Sequence, residues 1–187
     1  MAEGPIHKKV KAVAMKFLKE KTTDISAREV KYKNMKSIAD AVGINIKRRE
    51  VRIIEVKATR ADYIRDKKLL ELDYSYYKHC NYFYIMCPID IIQLDDVPKE
   101  YGLLWVNLET LEVIVKRPPK KYSGRLKTMF DTSLKYAVKA NTNDLLFHYV
   151  YNEFGITVNN KFSKGKLIKP RKTITSKKVT TKKKKGV

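Results

Sequence analysis

Val51-Arg52-Ile53-Ile54-Glu55-Val56-Lys57-Ala58-Thr59-Arg60-Ala61-Asp62 changes its periodicity once, and the change decides the fold. Up to Thr59 apolar and polar residues follow the period of two that belongs to a strand. Ile53, Glu55 and Lys57 then share one face while Ile54 and Val56 share the other, so a carboxylate and an ammonium emerge side by side. At Thr59 the pattern breaks. Thr59 with Asp62 three residues on forms a capping box, Asp standing in for the usual Glu, and predicts a helix running to about Lys78.

Working outward, two further strands are predicted upstream, Glu29–Tyr32 and Ser37–Asn45, before the Val51–Thr59 strand itself. The connections, Lys33–Lys36 and Ile46–Glu50, are short enough for an antiparallel meander. Before them lies the connector Lys21–Ser26, and before that Val10, Val13, Ala14, Phe17 and Leu18 recur at helical spacing among lysines, predicting an amphipathic helix over about residues 6–20. Downstream, the apolar run Tyr82–Cys87, stopped by Pro88, has the pattern of a strand buried on both faces. A crossover helix feeding such a strand implies that it pairs in parallel with the meander. Gly102–Asn107 and Leu111–Lys116 read as a hairpin, and Pro118-Pro119-Lys120-Lys121 closes the core. Leu126–Ala140 and Asp144–Phe154 are helical by spacing. The expected class is α/β (α+β): an αβββαβ core with a mixed central sheet over residues 1–120, a helical extension over 121–160, and a lysine-rich tail over 161–187 too poor in apolar residues to fold alone.

A chain of 187 residues suffices for one core with an appendage. Its 41 Lys and Arg against 20 Asp and Glu leave a formal +21, which bears on partners and not on fold. Twelve of those cations, and no acid, lie between Lys161 and Val187, so residues 1–160 keep +9. A polyanion is the natural partner, because each phosphate neutralised releases counterions. Nucleic acid leads and an anionic membrane surface comes second. Two cysteines are too few for a disulfide scaffold and fit a reducing cytoplasm, and no apolar stretch approaches the ~18 residues a spanning helix needs.

The chemistry concentrates in the meander. Asp40 interrupts an apolar alternation between Ala39 and Ala41, where a charge costs several kcal/mol unless it is paired or holds a metal. Two carboxylates and a lysine on adjacent strands suit phosphodiester hydrolysis: hard oxygen ligands favour Mg²⁺ or Mn²⁺, and Lys57 suits orienting a water and neutralising the transition-state charge. Lys67 falls on the stripe Tyr63, Lys67, Leu70, Tyr74, Tyr77, so its ammonium needs an acidic or phosphate partner; it either joins the site or snorkels to the surface.

Asp40, then fifteen positions on Glu55-Val56-Lys57, resembles the D-x(n)-(D/E)-x-K signature of the PD-(D/E)xK nuclease superfamily, and the inferred element order is that of its restriction-endonuclease-like core. The longer stretch Ile54–Tyr63, with Asp66-Lys67-Lys68, Tyr76–Tyr84, Pro98 and Gly102-Leu103-Leu104, is similar to the MmcB-like DNA repair family over about residues 25–120. Ala58-Thr59 departs from the expected pair of small hydroxyl residues, and the segment between Lys68 and Cys80 is about one turn longer than expected. The resemblance implies a Mg²⁺- or Mn²⁺-dependent deoxyribonuclease with Asp40, Glu55 and Lys57 as its core and DNA as its partner, and it leaves a homodimer open. It also implies that the Val56 carbonyl joins Asp40 and Glu55 as a metal ligand and that Glu29 supplies a further acid, with Glu20 as the competitor. Lys36, Arg60, Lys68, Lys164, Lys166, Arg171 and Lys172 are the candidate nucleic-acid contacts, and Arg60, Asp62 and Asp66 read as helix-start and structural residues that brace the site without being catalytic.

Blander interpretations stand beside these. The alternative for the trio is a cross-strand ion cluster, which at a surface contributes only ~0 to 1 kcal/mol. The alternatives for the whole chain are a non-catalytic DNA-binding module of the same fold and a repair or replication accessory acting through protein contacts. His79, Cys80 and Cys87 lack a second pair to complete a tetrahedral metal site and read as core residues, as does His148.

Overall fold

The computed structural model describes residues 4–21, 23–32, 38–66, 76–124 and 126–154. Its elements run α1 (Pro5–Lys21), β1 (Ile25–Lys31), β2 (Ile38–Asn45), β3 (Glu50–Val56), α2 (Arg60–Arg65), β4 (Tyr82–Pro88), β5 (Gly102–Val106), β6 (Val113–Arg117) and α3 (Leu126–Phe154), with short 3-10 turns at Tyr76–His79 and Leu94–Asp96. The fold is α+β around one six-stranded mixed sheet in sequential order, and its first six elements follow the expected α-β-β-β-α-β sequence. β1, β2 and β3 form the antiparallel meander. β4 and β5 continue it in parallel, and β6 closes the sheet as an antiparallel edge strand.

Alternation divides the centre of the sheet between two layers. Ile53, Phe83, Ile85, Cys87, Leu103 and Trp105 face a core shared with Phe130 and Ala137 of α3 and with Tyr63 of α2. Ile54, Val56, Tyr84, Met86, Leu104 and Val106 face Val10, Val13, Ala14 and Leu18 of α1. Burial on both faces is why β4 is an unbroken apolar run. Cys80 and Cys87 are free thiols buried in the first layer. Among the described residues no helix is long and apolar enough to cross a membrane.

Several boundaries differ from expectation. β1 starts at Ile25, inside the expected connector, because Ile25 and Ala27 find partners in Ile44 and Val42 of β2. β3 ends at Val56, since Thr59 turns away to cap α2 by accepting the Asp62 N–H at 3.1 Å. α2 stops at Arg65 and Asp66 leaves helical geometry, while Tyr76–His79 is a 3-10 turn; residues 67–75 of the helix expected to reach Lys78 lie outside the described residues. The two expected C-terminal helices are one continuous α3, because Asn141–Asn143 offers no backbone break: Asn141 Nδ2 donates to the Ser26 carbonyl at 3.0 Å and Thr142 to the Val138 carbonyl at 2.9 Å.

Strict alternation also fails, and it fails beside the acids. Ala27 and Val30 both line the first layer although they are three apart, and Glu29 between them has a left-handed φ of 53°. Across the ladder Ala39 and Val42 line that same layer while Ala41 faces α1. Glu29 and Asp40 are the two positions skipped between the Arg28–Ala41 and Val30–Ala39 pairs, so the two irregularities coincide. A local break of this kind bends a strand and re-aims its side chains, here turning both acids toward α1.

Candidate functional site

The β2–β3 ladder is paired through Ala41 and Ile54, and one residue further the strands leave a gap between them. Lys57 N–H donates to the Met86 carbonyl of β4 at 2.9 Å. The preceding peptide group, Val56, therefore turns its N–H and its C=O toward β2, as successive strand residues alternate sides. Asp40 fills that opening: its Oδ2 accepts the Val56 N–H at 2.9 Å. Asp40, Glu55 and the Val56 carbonyl thus stand around one gap at the carboxyl ends of β3 and β4, where open α/β sheets commonly bind ligands.

Two ion clusters meet there. Lys57 Nζ lies 3.2 Å from Glu55 Oε1 and 3.2 Å from Asp66 Oδ2. Asp40 is held from the other layer: Lys11 Nζ of α1 lies 3.2 Å from Asp40 Oδ1 and 3.2 Å from Glu29 Oε1, and His7 Nε2 lies 3.6 Å from Asp40 Oδ2. Glu55 and Lys57 belong to the Ile53 side, whereas the partners of Asp40 come from α1, and the two groups approach through the gap between strands. Asp40, Glu55, Lys57 and Lys11 are all buried, at 7–9 % exposure.

Burial and pairing pull on each group. For Glu55, burial first and then the negative charge of Asp40 push the carboxyl up to about 8, against the opposing ammonium of Lys57. Its second oxygen, Oε2, is buried and has no hydrogen-bond partner. For Asp40, burial works upward too, but the His7 and Val56 hydrogen bonds and the Lys11 and His7 charges outweigh it and hold the carboxyl below its ordinary range. Lys57 is pulled down by burial and pushed up more strongly by Glu55 and Asp66, so it stays charged.

The remaining expected residues sort plainly. Glu29 is the acid that joins the Asp40 cluster, while Glu20 makes only a surface pair with Lys16 at 3.7 Å. Arg60 is engaged bidentately by Asp96 at 2.6 and 2.7 Å, and Tyr63 OH donates to the Asp96 carbonyl at 2.6 Å. Those bonds fix α2 against the β4–β5 connection. Lys36, Lys67, Lys68, Lys164, Lys166, Arg171 and Lys172 lie outside the described residues. Sequence reasoning missed His7 and Lys11, whose only signal was a histidine and a lysine one turn apart on α1. Asp66, expected to brace the site, does so through its carboxylate, which accepts from Lys57 Nζ at 3.2 Å.

Among the described residues no three of His, Cys, Asp and Glu converge on one point. The available donors are two carboxylates and a main-chain carbonyl, a hard-oxygen set suited to an ion that keeps several waters. Glu55 Oε2, buried without a partner, fits a ligand role.

No protein-family model matches this chain, and no curated protein matches it. Among solved structures it is similar to a protein of unknown function from Silicibacter pomeroyi, at 17% identity and a TM-score of 0.66, over 83% of this chain and 99% of that one. At that identity the likeness concerns the fold alone.

Proposed function

We propose that this protein is a metal-dependent nuclease that hydrolyses phosphodiester bonds of DNA, with a role in DNA repair or recombination or in phage DNA processing. The observation that carries the proposal is the Glu55 carboxyl: buried, with one oxygen lacking any partner and a second carboxylate for a neighbour. Such a group is costly to keep unless something completes it. Asp40, Glu55 and the Val56 carbonyl would hold Mg²⁺ or Mn²⁺, which when bound supplies Lewis-acid polarisation of the phosphate and acidifies a water.

The chain's own residues do the rest. Lys57 keeps its proton between Glu55 and Asp66, so it offers a positive charge to the scissile phosphate and to the transition state. Asp66 orients it. Val56 N–H and His7 fix the Asp40 carboxylate, and the apolar walls formed by Ile54 and Met86 limit water. The formal +21 of the whole chain supports a polyanionic substrate.

The test is cleavage of a plasmid and of single- and double-stranded oligonucleotides in Mg²⁺, Mn²⁺ or EDTA, by wild type and by Glu55→Gln. Metal-dependent cleavage that falls by ~100-fold or more in the variant is expected. Equal cleavage by the variant rejects the site. One observation favours a second reading, a non-catalytic DNA-binding module: the Lys11 ammonium already neutralises Asp40. Salt-sensitive DNA binding with no metal-dependent cleavage of any substrate would select it.

A further inference from the structure

Lys11 is out of character with its helix. Lys8, Lys9, Lys16 and Lys19 of α1 are exposed, as lysines ordinarily are, whereas Lys11 is 8 % exposed and sits beside Val10 and Ala14. A buried ammonium is stable only against acids, and among the described residues Lys11 Nζ lies 3.2 Å from Asp40 Oδ1 and 3.2 Å from Glu29 Oε1. Both acids lie where the alternation of their strands fails, Glu29 in a left-handed conformation that glutamate rarely adopts. Strain retained at such a place calls for a compensating contact, and Lys11 is that contact.

The other atoms of the gap are already assigned. Asp40 Oδ2 is occupied by the Val56 N–H, with His7 beside it, and Glu55 Oε1 by Lys57. The oxygens left for a divalent ion are Glu55 Oε2, which has no partner, and Asp40 Oδ1, which has Lys11.

We infer that the Lys11 ammonium and a divalent cation compete for the Asp40 carboxylate, so that Lys11 sets the concentration at which the cation binds. The inference rests on the gap being a cation site. Lys11 balances the acids when no divalent ion is bound and prevents two carboxylates from facing each other across the strands uncompensated. Cation binding requires its four-carbon stem to swing the ammonium off Asp40, a movement for which a flexible point charge is suited and a rigid guanidinium is not. The cation gains Asp40 and the chain gives up an ion pair, so affinity is lower than the donor set alone would produce.

The experiment measures Mn²⁺ affinity of the full chain by the loss of the free-ion paramagnetic resonance signal, for wild type, Lys11→Met and, as a control on the exposed face of α1, Lys16→Met. Removing the competitor is expected to tighten Mn²⁺ binding at least tenfold in Lys11→Met and to leave Lys16→Met unchanged. Thermal melting supplies the companion readout: Lys11→Met melts below wild type in EDTA and recovers more than wild type on adding Mn²⁺, because the ion replaces the lost charge. If circular dichroism shows Lys11→Met unfolded, Lys11→Gln, which leaves Asp40 a neutral donor, carries the same expectations. Affinities of wild type and variant within twofold overturn the inference, and DNA cleavage by the same wild-type sample shows whether the nuclease proposal outlives it. Mn²⁺ binding to neither protein overturns the inference together with the cation site.

Discussion

Replacing Glu55 by glutamine should make the metal-free protein more stable in alkaline solution, with no such gain near pH 5. Glutamine preserves the size of the side chain and removes its titration. In the native protein burial and the adjacent Asp40 push the Glu55 carboxyl from 4.5 up to about 8. The sign follows from which state holds the proton. Below about pH 4.5 both folded and unfolded chains are protonated at Glu55 and nothing is lost. Between 4.5 and 8 the unfolded chain ionises while the folded one does not, so stability falls steadily as pH rises, and above 8 the full cost is present. At ~1.36 kcal/mol per pH unit across that window the cost is about 4 to 5 kcal/mol. A glutamine oxygen still accepts from Lys57 but more weakly than a carboxylate, a loss of at most about 1.5–3 kcal/mol, and Lys57 retains Asp66 at 3.2 Å. The net expectation at pH 9 is a variant about 2 kcal/mol more stable than wild type, with the difference vanishing or reversing near pH 5. Urea unfolding in EDTA at pH 5, 7 and 9 measures it. A stability difference that is the same at all three values would refute the account of Glu55 as a buried, unsatisfied carboxyl.

Four further outcomes follow from the same contacts. Lys57→Met should abolish metal-dependent cleavage while preserving the fold seen by circular dichroism, since Asp66 is half exposed and can be hydrated; undiminished cleavage of oligonucleotides would remove Lys57 from the site. Gly43→Ala should destabilise the protein by about 1–3 kcal/mol in urea, because a methyl there meets Thr23 Cγ2 at 2.6 Å and Leu18 Cδ2 at 2.9 Å and pries α1 from β2. Asn81→Ala should cost about 2–4 kcal/mol, as it strands the Val51 N–H and the Tyr122 carbonyl that the side chain now serves at 2.8 and 3.2 Å. Deleting residues 162–187 should flatten the dependence of DNA affinity on salt, by ~0.9 in log-log slope for each phosphate contact removed, without changing the cleavage chemistry.

The local chemistry of this chain was legible residue by residue. Period-two runs marked the meander, the doubly apolar Tyr82–Cys87 marked an interior parallel strand, and Thr59 with Asp62 marked the start of α2, because each signal depends on neighbours in the chain. Asp40, Glu55 and Lys57 stood out for the same reason: charged groups in strands otherwise apolar.

What only the tertiary structure decided was who meets whom. The slip of alternation at Glu29 and Asp40 involves two strands at once, and no window of one strand contains it. Nor could spacing reveal that α1, helical by its stripe of Val10, Val13, Ala14 and Leu18, would bury a lysine instead of exposing it. Helix periodicity specifies the face turned to the core; the partners on that face, Asp40 and Glu29 for Lys11, are set by packing between segments distant in sequence. The acids, and Lys57 beside Glu55, could therefore be named from the sequence, while the counter-ions of Asp40 and Glu29 had to come from the fold.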